Sequence, residues 1–124
     1  MSKNHLIKNI VIVADLKNIE DKKIILYGII TDIIFSSSLI KKNSDFQNFT
    51  QDFFGVQFKG YVYKSRTLLL ARCLRLIEKY DLEKVNVLID KLLLVFNIHP
   101  PKNSKNNSKN LDVLLAWKKV INHE

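Results

Sequence analysis

The sequence predicts an all-α fold, a compact bundle of five to six helices around one apolar helix, and three observations carry that expectation. Only three Gly and two Pro occur in 124 residues, too few turn formers for an all-β chain that reverses every ten residues. Hydrophobic residues make up 47% and charged residues 26%, a globular composition able to fill one core. The apolar residues also recur at helical rather than alternating spacing along most of the chain.

Residues 4–16 carry Ile7, Ile10, Val11 and Ala14 at helical spacing, but also the β-branched run Ile10–Val13. A helix is favoured, and the alternative is an α+β fold with a short N-terminal strand. Asn18 is placed to cap the next helix, with Glu20 and Asp21 in the first turn, where the dipole favours acids. That helix is expected to reach about Ile40. Ile24, Ile25, Leu26, Ile29, Ile30, Ile33, Ile34 and Phe35 cover nearly its whole circumference, which marks it as the central helix. Gly28 is expected to let a neighbour approach closely.

Asn43 or Ser44 opens a short helix through Phe54 that Gly55 closes, with Phe46, Phe49 and Phe53 on one side. A long helix is expected from Tyr61 to Tyr80. Asp81 caps the following one, to about Asn97, whose inner stripe is Val85, Leu88, Ile89, Leu92 and Phe96. Val87 and Leu94, seven apart, form a second narrow apolar edge that fits either burial by the last helix or a partner contact. His99-Pro100-Pro101 ends the core domain, residues 1–101. Residues 102–110 contain only Lys, Asn and Ser and read as a flexible polar linker. Residues 111–124 read as a C-terminal helix with Val113, Leu114, Trp117, Val120 and Ile121 on the face that docks back onto the core. The expected core combines Ile25, Ile29, Ile33, Leu69, Leu76, Leu92 and Trp117.

The formal charge is +8, and it is uneven: net +1 over residues 1–55 and net +7 over 56–124. Lys, Asn and Ile are all abundant, as in chains from AT-rich genomes, so the lysines alone say little. The three arginines, Arg66, Arg72 and Arg75, fall within ten residues and are the better signal, because a guanidinium is chosen for geometry. On a helix 61–80, Lys64, Arg72, Arg75 and Lys79 share one side, with Tyr61 beside them available to stack. That is a candidate phosphate-contacting stripe about 20 Å long. Arg66 lies at the apolar border and Asp32 inside the apolar helix, so the two are expected to form a buried structural ion pair. Tyr61 and Tyr63 are the expected exposed aromatics.

Several chemistries find no support. One Cys excludes a disulfide framework, and Cys73 lies on an apolar face. His5, His99 and His123 have no metal-ligand spacing, so no metal, cofactor or catalytic residue is assigned. Lys59–Tyr63 and Val11–Leu16 share a few residues with the two ribonucleoprotein motifs of RNA-recognition domains. Val62 and Lys64 break the first motif, however, and that fold's four strands are missing. No apolar run is long enough for a membrane span or a signal segment, so a cytoplasmic protein is expected. The composition points to a non-enzymatic protein that binds a nucleic-acid backbone, such as an accessory subunit of a larger nucleoprotein, mobile-element or defence system. The alternative is a protein-interaction or immunity-type bundle, with an acidic protein surface or a second copy as partner and a charge that is only compositional.

Overall fold

The structure is a computed structural model and describes residues 3–36, 39, 40, 42 and 44–98. The proposed linker 102–110 and the segment 111–124, with Trp117, lie outside the described residues, as do His99, His123 and Asn43. Among the described residues six helices follow in order: α1 Lys3–Asp15, α2 Ile19–Phe35, α3 Asp45–Phe54, α4 Gly60–Tyr63, α5 Arg66–Lys79 and α6 Leu82–Val95. No strand occurs among the described residues, so the all-α expectation holds and the α+β alternative falls. Central α2 packs on α1, α5 and α6; α3 packs on α5 and α6, α4 on α5, and α1 also on α6.

The β-branched run in α1 is settled by which residues it buries. A strand would send Ile10 and Ile12 to one side. Instead Leu6, Ile10 and Val13 are buried while Val11 and Ile12 are exposed, the spacing of a helix. The buried stripe is thus rotated from the expected one: Ile7 and Ala14 sit at its edge and Val11 lies outside it.

The caps follow from local chemistry. The Asn18 side-chain oxygen accepts from the N–H groups of Glu20 (2.8 Å) and Asp21 (3.2 Å). Asp81 accepts from the N–H of Lys84 at 2.9 Å. Ser44 precedes α3 but forms no side-chain cap bond, and Gly55 closes that helix at φ +69°. At the end of α6, Asn97 takes φ +59°. Its N–H bonds to the Leu94 carbonyl at 3.1 Å, and the N–H of Ile98 bonds to Leu93 at 2.8 Å, a Schellman closure with Asn in the glycine place.

Two boundaries differ from expectation. Helix α2 ends at Phe35 instead of running to Ile40. The N–H groups of Leu39 and Ile40 both bond to the Ser36 carbonyl at 3.3 Å, a turn that carries both side chains into the core. The long helix expected over 61–80 is two: Ser65 is extended, and its hydroxyl accepts from Leu68 N–H at 3.2 Å, starting α5 afresh.

One core unites all six helices. Ile29, Ile33, Leu69 and Leu92 are in it as expected, and Ile25 and Leu76 pack at its edge half-buried. Phe46, Phe49 and Phe53 are buried, with the Phe49 and Phe53 ring centroids 5.0 Å apart. Gly28 does not admit a close neighbour. It is exposed, and a Cβ added there meets nothing within 4 Å.

Candidate nucleic-acid interface

Two sets of cations differ in what they face. Four turn inward. Arg66 donates one Nη to the Ile34 carbonyl at 2.7 Å and the other to the Ile40 carbonyl at 3.0 Å, and lies 5.0 Å over the Phe46 ring. Lys23 Nζ donates to the Glu78 carbonyl at 2.7 Å, Lys91 Nζ to the Asp52 carbonyl at 3.1 Å, and Lys22 Nζ to Asn86 Oδ1 at 2.6 Å. Ile34, Glu78 and Asp52 lie in the last turns of α2, α5 and α3, where carbonyls lack helical partners and the dipole is negative. Three helix ends are therefore closed by a cation from another helix. Burial pushes the Lys91 ammonium below its ordinary pKa, and Asp52 pulls it back only in part.

This corrects the expected Arg66–Asp32 pair. The guanidinium is committed to two carbonyls at the turn after α2, with a donor fork that fits both. Asp32 is half-buried elsewhere on α2, where desolvation raises its pKa and the His5 imidazole of α1 acts in the opposite direction.

The second set faces outward from α5. Arg72, Arg75 and Lys79 are all exposed and fall within an arc of about 60° at the helical twist of about 100° per residue. Their Cα span is about 10 Å along the axis, half the length expected when Lys64 was counted on the same helix. Lys64 is exposed in the turn after α4, beyond the break at Ser65. Tyr61 is 54% exposed, and its hydroxyl accepts from Arg72 at 3.4 Å, so the fold does bring these two together across the break. No carboxylate among the described residues is bonded to Arg72, Arg75 or Lys79. Glu78, the single acid of α5, lies about 60° from Arg75 around the helix.

Tyr63 was expected beside Tyr61 on the surface, but it is buried. Its hydroxyl pairs with Thr50 Oγ1 at 2.7 Å and accepts from Phe58 N–H at 3.0 Å. Val87 is 47% exposed, whereas Leu94 packs half-buried against the core, so the second edge of α6 is reduced to one residue. Cys73 is fully buried, which pushes its thiol up to about 12 and leaves no thiolate for chemistry.

Among the described residues, no group of three or more His, Cys, Asp or Glu is placed to hold a metal ion, and no helix is long and apolar enough to cross a membrane. Comparison of the chain with family models, with curated proteins and with solved structures gives no match.

Proposed function

We propose that the outer face of α5 binds the phosphate backbone of nucleic acid without reading its sequence, in a non-enzymatic cytoplasmic protein that serves as an accessory subunit of a nucleoprotein, mobile-element or defence assembly. The observation that supports this is the stripe itself: Arg72, Arg75 and Lys79 are exposed on one arc, with Tyr61 held against Arg72. Like charges three and four apart on a helix cost roughly 0.2–0.5 kcal/mol per pair, so the stripe is a small burden on the free protein that a polyanion relieves. Along its length of about 10 Å it faces about three phosphates of one strand. Tyr61 adds an exposed ring on which a base of a single strand can stack. No Asn or Gln on α5 accompanies the stripe to pair with base edges, hence the expected sequence tolerance.

The test is binding of the full chain to generic single- and double-stranded DNA and RNA across a salt series, beside the double substitution Arg72→Glu with Arg75→Glu. The wild type should bind at low salt and lose affinity steeply. The double variant should bind weakly and flatten the slope of log affinity against log salt by about two. A wild type that ignores both nucleic acids at low salt removes the reading. The interaction-module reading then takes its place, favoured by the apolar outer face of α2, where Ile24 is 62% and Phe35 49% exposed.

A further inference from the structure

Tyr61 and Arg72 meet because the chain breaks between them. In one continuous helix, the eleven steps from Tyr61 to Arg72 would set them about 16 Å apart along the axis, too far to bond. Instead the extended Ser65 separates α4 from α5, and α4 packs back on α5. The Tyr61 hydroxyl then accepts from Arg72 Nη2 at 3.4 Å, and the ring stands at the Arg72 end of the cation row. Having accepted that N–H, the hydroxyl keeps its own proton to donate to a phosphate or sugar oxygen.

The ring has room for a partner. It is exposed, while Val62 and Tyr63 beside it are buried, so the open side of this short segment is Lys59, Gly60, Tyr61 and Lys64. A Cβ added at Gly60 meets nothing within 4 Å, which leaves the space next to the ring clear. Between Asp52 and Glu78 the sequence has five Lys or Arg and no Asp or Glu. Arg66 is turned inside, and the other four, Lys59, Lys64, Arg72 and Arg75, are exposed. An exposed ring in an acid-free, cationic stretch is the combination that holds an unstacked base beside its own phosphates.

We infer that this face takes single-stranded nucleic acid in preference to duplex, with one base stacked on Tyr61; this rests on the phosphate-contacting reading of Arg72, Arg75 and Lys79. Cations and ring pull in opposite directions on a duplex. The cations favour it, because its charge density is the higher. For three phosphates, the difference between the duplex and single-strand counterion slopes amounts to about fourfold at about 0.1 M salt relative to 1 M. The ring disfavours it, because a paired base is covered on both faces and must first leave the stack. One stacked base is worth roughly five- to a hundredfold in affinity, so the ring outweighs the cations in choosing between the two forms.

The test compares three probes of equal length at about 0.1 M salt: an unstructured DNA strand of mixed sequence, an abasic strand, and a blunt duplex. Wild type should bind the mixed-sequence strand at least about fivefold more tightly than either of the others. Tyr61→Ala should lower its affinity for that strand to the level of the abasic one. The slope of log affinity against log salt should keep its wild-type value, since stacking releases no counterions. Tyr61→Phe should keep most of the preference, whereas Arg72→Glu with Arg75→Glu should weaken binding to all three probes. A duplex or abasic strand bound by wild type as tightly as the mixed-sequence strand overturns the inference and leaves the phosphate-contacting face standing. A Tyr61→Ala loss equal on all three probes also overturns it, because the ring then only positions Arg72. Wild type that binds none of the three at low salt removes the phosphate-contacting reading itself, and this inference with it.

Discussion

Arg66 and Arg75 lie nine residues apart on α5 and have opposite surroundings. Arg66 is turned inward, over an aromatic ring and against two backbone carbonyls, while Arg75 is exposed with no carboxylate among the described residues bonded to it. The contrast extends to the lysines: Lys22, Lys23 and Lys91 hold groups of other helices, whereas Lys79 is exposed. Net charge therefore overstates the electropositive surface of this protein. Part of it closes helix termini, and only the outward set is free to act at a distance.

The largest expected effect tests the inward side. Arg66→Ala removes two charge-assisted bonds and a ring contact, leaving the Ile34 and Ile40 carbonyls without that donor. It should lower unfolding free energy by about 3 kcal/mol in urea titration. Arg66→Lys keeps the charge but not the fork, and should recover less than half of that loss. Arg72→Glu with Arg75→Glu, on the outer side of the same helix, should change stability by no more than about 0.5 kcal/mol. Equal costs for the two would erase the distinction.

How much of this was legible depended on whether the partner was local. Asn18 and Asp81 were readable as caps because each bonds N–H groups two or three residues ahead. The end of α2 was not, because it is fixed by an arginine more than 30 residues away, and three serines in a row neither require nor forbid a helix. Ser65 did carry a capping signal, yet the apolar periodicity continues through Lys64 and Ser65 and masked the break. That break removed Lys64 from the stripe, while Arg72, Arg75 and Lys79 were placed on one face by the helical twist alone. The Arg66–Asp32 pairing is not formed because matching charges leaves out the carbonyls, which at a helix end are the acceptors a buried guanidinium most readily meets.

A smaller effect sharpens the same inside–outside division in α4. Tyr63 anchors Thr50 and the Phe58 N–H, so Tyr63→Phe should cost about 1–2 kcal/mol by leaving a backbone donor without its partner. Tyr61→Phe removes only a 3.4 Å bond to Arg72 at the surface and should leave the urea midpoint unchanged.

The smallest effect is one of sign. Had Asp32 been the partner of Arg66, its pKa would be depressed, and Asp32→Asn would strand a buried cation at a cost of about 3–5 kcal/mol. Instead desolvation raises it, with His5 opposing only in part. A carboxyl whose folded pKa lies above its unfolded value binds more protons folded than unfolded between those two values. Its ionised form is thus a penalty on the fold, present in full above the folded pKa and relieved as pH falls through it toward the unfolded pKa. Asp32→Asn should therefore be at least as stable as wild type at pH 7, with the gap closing on acidification into the ordinary carboxylate range. Urea midpoints of both proteins at pH 7 and at about pH 4 decide this. A variant less stable at pH 7, with the loss shrinking at acid pH, would restore a favourable partner for Asp32.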